Sequence, residues 1–399
     1  MQIESALGGS GPLLVGVPIV FLLFAAMLAL VLVLHKRGLE VALCGLALIV
    51  VVRVAFSDFA LLAHLGHEWA KLVNLLALLV GFALLADHFE SSHLPAVLPR
   101  FLPSGALGGF ALLVLVWLLS GVLDNIAAAM IGATTAARVF DRRVHLGYLA
   151  AIVASANAGG AGSVLGDTTT TMIWIDGVSP LAVLPAYLGA ASALLVFGTL
   201  ASRQQAKFAP MKMASGGDVR IDQRPLVIVA CALIAVVLTN VIASAHLGPR
   251  AEGFPFMATA LWLVLGAGTL LRAPNWRLVT GAFKGGLFLL ALVLAASLMP
   301  VDALPTPNAA TTLGMGFVSS VFDNIPLTKL ALDQGGYDWG LLAYSVGFGG
   351  SLIWFGSSAG VAVAGIFPEA KSVLGWLRAG WHLPVAFVFG FVVQYLLAG

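Results

Sequence analysis

The chain has few charged residues. Only 10% of its 399 residues are Asp, Glu, Lys or Arg, whereas 60% are hydrophobic. A soluble domain carries about 25% charged residues, so the composition excludes a soluble globular protein. The net charge of +2 is close to neutral, and the basic residues are scattered among loops, which argues against nucleic-acid binding. We therefore expect a polytopic membrane protein.

Cysteine is almost absent. Cys44 and Cys231 are the only two, and both lie within apolar runs. Two such residues support neither a disulfide framework nor a cysteine-based metal site. We expect both to be small core residues, and we expect no bound cofactor.

Long hydrophilic stretches are also rare: there is one, at 204–224, and it contains Gly216 and Gly217. Elsewhere the chain consists of apolar runs of about 20 residues, the length of a bilayer-crossing helix. No small-residue cleavage site follows the first run, so we expect a retained helix. The runs predict an all-α fold with about ten transmembrane helices, near 12–34, 39–56, 71–87, 145–175, 180–202, 225–245, 255–272, 285–300, 339–366 and 380–398.

Two apolar segments remain, 105–140 and 309–333, and each carries an Asp-Asn pair in its middle. These pairs are Asp124-Asn125 and Asp323-Asn324, and their flanking residues are similar. A carboxylate inside a membrane is costly unless it is partnered, and it marks a functional site by default. We predict two re-entrant hairpins whose tips are binding surfaces, because irregular backbone at membrane depth must be buried in protein or line a cavity.

The distribution of Lys and Arg favours this hairpin topology, because cytoplasmic loops are the basic ones. All but four of the 20 Lys and Arg then lie on the cytoplasmic side, and both termini lie outside. The four exceptions are Arg53, Lys71, Arg250 and Lys329.

The same topology makes the two halves an inverted repeat, an architecture typical of secondary transporters. Each half has a hairpin followed by a helix that glycines interrupt. The predicted units are residues 1–203, with a cytoplasmic-side hairpin at 105–140 and a broken helix at 145–175; the cytoplasmic linker 204–224; and residues 225–399, with an outer-side hairpin at 309–333 and a broken helix at 339–366.

Side-chain oxygens are concentrated at the two glycine-rich breaks. An unwound helix frees carbonyls that can coordinate a cation, and hydroxyl, amide and carboxylate groups can add to them. The first break has a carboxylate and the second has only hydroxyls, so we expect an asymmetric site. The side chains are Asn157, Ser163, Asp167 and Thr168–Thr171 in the first half, and Ser351, Ser357 and Ser358 in the second.

Four motifs resemble the NhaD-type sodium/proton antiporters of the ion transporter superfamily, which also includes arsenite and carboxylate transporters. The similarity covers most of the chain from about Glu68 onward, and the Gly-Asp-Thr-Thr-Thr-Thr-Met-Ile-Trp run is its specific part. It implies exchange of Na⁺ or Li⁺ for H⁺ by alternating access, in a multi-pass protein of a cell membrane, the bacterial inner membrane. It also implies a homodimer. The motifs are Val122–Ile126, Ala156–Ala161, Gly166–Trp174 and Gly356–Val361.

The resemblance implies ion- or proton-binding roles for matching residues, with Asp124 and Asp167 as candidate Na⁺ ligands. A buried carboxylate suits exchange because desolvation favours its protonated form and a bound cation favours its ionised form. The chain departs from the family at Ala127–Ala129 and Phe348, where threonines are usual. The implied residues are Asp124, Asn125, Asn157, Asp167, Thr169, Thr170, Asp323, Asn324, Ser351, Ser357 and Ser358.

Structural alternatives exist for these residues. The aspartates can act as helix N-caps, the threonines can bond to carbonyls one turn back, and the serines can permit close helix packing. Nearby, we expect Lys329 to snorkel to the outer interface and His64, His67 and Glu68 to form a solvated interfacial face.

Two rival functions stay open. One is an arsenite or carboxylate carrier of the same superfamily. The other, remote, is an intramembrane serine hydrolase, because Gly356-Ser-Ser358-Ala-Gly360 matches a nucleophile pattern. No strand is predicted before that motif and no histidine is predicted at membrane depth, so we do not expect an enzyme.

Overall fold

A computed structural model describes residues 13–14, 16–34, 37–57, 59–211, 220–247 and 253–398. Within these ranges the regular structure is helical, apart from a short antiparallel pairing of Leu13–Leu14 (β1) with Val17–Pro18 (β2). The α-helices are α1 Ile19–Val33, α2 Gly38–Phe56, α3 Leu61–Ser91, α4 Leu94–Val97, α5 Gly105–Ser120, α6 Asn125–Val139, α7 Leu146–Gly160, α8 Thr168–Ile175, α9 Ala186–Phe208, α10 Gln223–Leu247, α11 Phe256–Gly268, α12 Arg277–Ser297, α13 Ala309–Ser319, α14 Asn324–Gln334, α15 Trp339–Gly349, α16 Ser358–Ile366, α17 Val373–Ala379 and α18 His382–Ala398.

Several of these helices are long and apolar enough to cross a membrane, so the chain is a multi-pass membrane protein, as predicted. In the described ranges five helical segments qualify by length and composition, and α17 with α18, bent by 61°, would make a sixth. The ten crossings, the re-entrant hairpins and the inverted orientation of the halves stay predictions. Gly216, Gly217 and Arg250 lie outside the described residues.

Helix α3 corrects the predicted span 71–87, because it begins at Leu61 and has 31 residues. Its first turns carry charged side chains that a hydropathy argument assigns to an interface. His67 is exposed as expected, but Glu68 is only 7% exposed. The expectation of a solvated face is therefore wrong for Glu68.

Lys329 corrects a second expectation, because it does not snorkel to an interface. It is 4% exposed, and its Nζ lies 3.1 Å from Oε2 of Glu68 and 2.8 Å from Oδ1 of Asp333. A buried charge is tolerated where an opposite charge is in contact with it, and these partners come from elsewhere in the chain or one turn along α14. Only the fold reveals such a pairing.

The two cysteines are also not where we expected them. Both Cys44 on α2 and Cys231 on α10 are exposed at the protein surface. The helices of a membrane protein are apolar on their outer faces as well as in the core, so an apolar neighbourhood in sequence does not distinguish the two environments.

Both predicted broken helices are interrupted in the structure. The first consists of α7 and α8 with a break at 161–167, and the second of α15 and α16 with a break at 350–357. The Asp-Asn pairs also lie at helix junctions, the first between α5 and α6 and the second between α13 and α14.

Close helix packing explains the glycines beside these breaks. A Cβ on Gly159 of α7 would collide with the carbonyl of Trp117 on α5, and a Cβ on Gly349 of α15 would collide with the carbonyl of Gly316 on α13. In each half the helix before the Asp-Asn pair is therefore in backbone contact with the broken helix, a contact that requires a small residue.

Matching hydrogen bonds accompany these contacts. The Ser120 hydroxyl donates to the carbonyl of Ala156 at 2.5 Å, and the Ser319 hydroxyl donates to the carbonyl of Val346 at 2.7 Å. Ser120 and Ser319 each stand four residues before the aspartate of their Asp-Asn pair. The two halves thus repeat the same local packing.

Substituting Gly159 with Ala tests the close packing of α5 on α7. We expect Gly159→Ala to lower the stability by about 1–3 kcal/mol, because an added methyl group overpacks a closed contact. Gly314→Ala on α13 is the matched control, since nothing lies within 4 Å of its added Cβ and alanine favours a helix. The melting temperatures of the purified variants in detergent provide the comparison; an unchanged value for Gly159→Ala contradicts the packing account.

Candidate functional site

The candidate site lies where both Asp-Asn junctions and both broken helices converge. Asp167 is the N-cap residue of α8, while Asn125 and Asn324 are the first residues of α6 and α14. Asn157 lies in the last turn of α7. These helix ends place polar side chains in the largely apolar interior of the protein.

Asp167 is at the centre of this site, with 3% of its surface exposed. The Asn125 amide donates to its Oδ1 at 3.2 Å, and the Asn324 amide donates to its Oδ2 at 3.2 Å. One carboxylate is therefore held from two sides by the asparagines of the two Asp-Asn pairs.

Asn157 joins the first half of the chain to the second. Its Oδ1 accepts a hydrogen bond from the Asn125 amide at 3.1 Å, and its own amide donates to the hydroxyls of Ser351 and Ser357 at 3.0 Å each. All of these side chains are buried. The network thus runs from a carboxylate in one break to two hydroxyls in the other.

The backbone also contributes to the electrostatics of the site. The N-termini of α6, α8 and α14 meet around Asp167, and a helix N-terminus carries a partial positive charge. Gly347 on α15 brings another stretch of backbone close, because a Cβ at this position would lie 3.6 Å from Asp167 Oδ2. The ionised form of Asp167 is therefore stabilised by dipoles rather than by a basic side chain.

Asp124 and Asp323 lie next to this network and act as helix caps. Asp124 Oδ1 accepts a hydrogen bond from the Ala127 backbone at 2.6 Å, and Asp323 Oδ1 accepts one from the Ile325 backbone at 3.0 Å. The capping alternative is thus what the structure shows for both. Asp124 also lines the cavity beside Asp167, so capping does not remove it from the site.

The two candidate threonines differ in how their hydroxyls are used. Thr170 Oγ1 bonds to the carbonyls of Ser163 and Asp167, at 2.6 and 2.9 Å, and so closes the break in the helix. Thr169 Oγ1 is buried and interacts with the carboxylate of Asp167. Of the two, Thr169 therefore has its hydroxyl beside the carboxylate.

A cavity of about 230 Å³ adjoins the carboxylate. It is large enough for several water molecules. Residues of α3 and α12 and two isoleucines line much of the cavity, and its polar residues are Asp124, Asn125, Asp167, Thr168, Asn324 and Ser358.

Sequence reasoning did not find the α12 wall of this cavity, where Gly285 and Gly286 lie. The paired glycines were the available signal, since they occur inside an apolar helix. Phe348, which stands where the family usually has threonine, packs against Phe197, Tyr344 and Phe387. Ala128 and Ala129 are fully buried in the same core cluster. These departures serve helix packing.

No family model matches the chain. The chain is similar to two sodium/proton antiporters of Arabidopsis thaliana. It is 27% identical to sodium/proton antiporter 1, in an alignment that covers 67% of this chain and 53% of that protein. It is 28% identical to sodium/proton antiporter 2, in an alignment that covers 61% of this chain and 66% of that protein. It is also 24% identical to a 46 kDa membrane protein of Mycobacterium leprae (strain TN), in an alignment that covers 90% of this chain and 91% of that protein. The chain spans between about half and two thirds of the length of the two antiporters.

Substituting Asn157 with Ala tests the bridge between the two breaks. We expect Asn157→Ala to destabilise the protein by about 1–3 kcal/mol, because Asn125, Ser351 and Ser357 each lose a buried partner. Thr134→Ala on α6 is the control: its hydroxyl bonds to carbonyls of its own helix, and an exposed change of this kind costs at most about 0.5 kcal/mol. Thermal unfolding in detergent is the measurement, and equal melting temperatures for the two variants would show that the bridge contributes nothing.

Proposed function

We propose that the protein is a secondary active transporter that exchanges Na⁺ or Li⁺ for H⁺ across the membrane by alternating access. The observation that carries the proposal is the buried carboxylate of Asp167, held by Asn125 and Asn324 beside a cavity. Similarity to two proteins named as sodium/proton antiporters supports it.

Competition for one carboxylate gives a direct route to exchange. Burial favours the neutral form of a carboxylic acid, and a bound cation favours the ionised form. Asp167 then carries either a proton or a cation, but not both. Because one group binds both substrates in turn, the inward movement of one is coupled to the outward movement of the other.

The surrounding side chains can adapt to either occupant. Asn125 and Asn324 donate N–H groups to Asp167, which suits an ionised carboxylate. An asparagine amide also carries an oxygen acceptor, so a rotation of the amide would present that oxygen to Na⁺. Ser351, Ser357 and Thr169 provide hydroxyl oxygens nearby.

The position of Asp167 between the two halves suits alternating access. In inverted-repeat transporters the site lies at the interface of the halves, and broken helices supply its ligands. Here Asn157 and Asp167 of the first half contact Ser351, Ser357 and Asn324 of the second. A movement of one half against the other would therefore alter the site directly.

The finer assignments belong to the same proposal. We assign the chain to the NhaD type, with Asp124 and Asp167 as the Na⁺ ligands, and with Asp323, Thr170 and Ser358 in supporting roles. We also propose a homodimer in the bacterial inner membrane with both termini outside.

The rival functions have less support. An arsenite or carboxylate carrier must admit a neutral or anionic substrate, and Asp124 and Asp167 both border the cavity. A serine hydrolase needs a base beside its nucleophile, whereas Ser358 begins helix α16 after a break and no histidine lines the cavity. Similarity to two proteins named as sodium/proton antiporters also favours a transporter over an enzyme.

Na⁺-induced dissipation of a pH gradient tests the function, in everted vesicles from antiporter-deficient cells. We expect the unsubstituted protein to respond to Na⁺ or Li⁺, and Asp167→Asn to lose more than nine tenths of the response at every pH, because the amide cannot exchange a proton. Asp302→Asn is the matched control, since Asp302 is an exposed aspartate outside the site.

Two outcomes of that assay would count against the proposal. Substantial exchange by Asp167→Asn would remove this carboxylate from the mechanism. No response of the unsubstituted protein to Na⁺, Li⁺ or K⁺ at any pH would favour the arsenite or carboxylate carriers instead.

A further inference from the structure

A second group of buried charges lies beyond the candidate site. Lys329 of α14 contacts Glu68 of α3 and Asp333 of its own helix. Lys71, one turn further along α3, contacts Asp176 at the end of α8 at 2.5 Å. These five residues are named here the charge cluster.

The charge cluster joins the two site-bearing helices to α3. Helix α8 begins at the site, with Asp167 as its N-cap, and ends at Asp176 in the cluster. Helix α14 likewise begins with Asn324 at the site and carries Lys329 and Asp333 in the cluster. At about 1.5 Å per residue, the nine residues from Asp167 to Asp176 place the cluster about 13 Å from the carboxylate.

Two cavities adjoin the cluster. One of about 610 Å³ is lined by Lys71, Asn74, Trp174 and Asn240, and we name it the vestibule. A small cavity of about 30 Å³ follows, lined by Glu68, Lys71, Asp176 and Lys329. Lys71 and Ile175 line both, so the charge cluster adjoins the vestibule at Lys71.

The cavity beside Asp167 continues this series along the same two helices. Its α3 residues, Leu79 and Ala83, lie about two and about three turns beyond Lys71. Its α8 residues, Asp167 and Thr168, lie at the opposite end of α8 from Asp176. It also reaches exposed surface at Gly285 of α12. The small cavity at the charge cluster adjoins the vestibule through Lys71 and Ile175, and its Leu75 and Met172 lie toward the site along α3 and α8. The site cavity extends toward a different part of the protein surface.

We propose that the charge cluster is the closed gate between the vestibule and the ion-binding site. The inference rests on the proposed transport function, because alternating access requires one side to close while the other is open. The ion pairs Lys329–Glu68 and Lys71–Asp176 hold α14 and α8 against α3, and their separation would open the site to the vestibule.

Ion pairs suit a gate for a physical reason. Separating a buried ion pair leaves two uncompensated charges, which is costly in the absence of water. The ion pairs therefore stabilise the closed state as long as water is excluded from the cluster. Water that enters from the vestibule solvates both charges and lowers the cost of separating them. Lys329 and Glu68 have only 5% and 10% of their side chains exposed, compared with 17% and 24% for Lys71 and Asp176, so the outer pair is the one that water reaches first.

Sided labelling of a cysteine beside the site tests the gate. Leu79, which lies on the site side of the cluster, is replaced by Cys in a background with Cys44→Ser and Cys231→Ser. A membrane-impermeant thiol reagent is applied to right-side-out and to inside-out vesicles, which assigns the vestibule to one face. Gate variants are Lys329→Gln and, at the more exposed pair, Lys71→Gln.

We expect labelling from the vestibule face to accelerate at least tenfold in both gate variants, with little change from the opposite face. Arg272→Gln is the matched control, because it breaks an ion pair outside the cluster. Arg272 contacts Asp222 at 2.7 Å, and both side chains are 36% exposed. Labelling in this control should match the parent. If Lys329→Gln does not fold, Lys71→Gln alone decides the question.

Two results would overturn the gate. Unchanged labelling from the vestibule face in a folded gate variant would show that the cluster closes nothing. Equal acceleration from both faces would show that the ion pairs serve general stability. Neither result depends on transport, so failure of the gate is distinguishable from failure of Na⁺/H⁺ exchange in everted vesicles.

Discussion

The candidate site depends on two hydrogen bonds from asparagine amides to one buried carboxylate. Asn125 and Asn324 come from separate halves of the chain, and both donate to Asp167. A buried carboxylate in a membrane protein is costly unless donors surround it. The asparagine donors, the helix N-termini and the two helix breaks all contribute to stabilising this one carboxylate. The remaining polar contacts, through Asn157 to Ser351 and Ser357, extend this arrangement to the second broken helix.

The two residues of each Asp-Asn pair make different contacts. The aspartate caps the helix that follows it, and the asparagine, one residue later, reaches the central carboxylate. Close packing makes this geometry available, because the glycines of α7 and α15 let α5 and α13 approach at backbone distance. A substitution far from the carboxylate can therefore disturb the site. The charge cluster, toward the other ends of α8 and α14, is a second place that fixes the position of those two helices.

The sequence allowed the membrane class and the two helix breaks to be predicted, because long apolar runs and glycine clusters mark them. The family resemblance pointed to residues that the structure brings together at Asp167. It did not allow the partners of Lys329 to be predicted, since Glu68 lies in a distant helix whose polar turns resemble an interface. The exposure of Cys44 and Cys231 was missed for a related reason: lipid-facing and core residues are equally apolar. The roles of Thr169 and Thr170 were inseparable in sequence, because hydrogen bonding to particular carbonyls distinguishes them.

The central claim is that one carboxylate binds either a proton or a sodium ion. Proton release on addition of Na⁺ to the purified protein in weakly buffered detergent solution, followed with a pH-sensitive dye, tests it most directly. Competition at Asp167 predicts release near or below the pH at which this group is half protonated, saturating with Na⁺, and no release from Asp167→Asn. Saturable Na⁺ binding without proton release at any pH, or release of equal size from Asp167→Asn, would contradict the account.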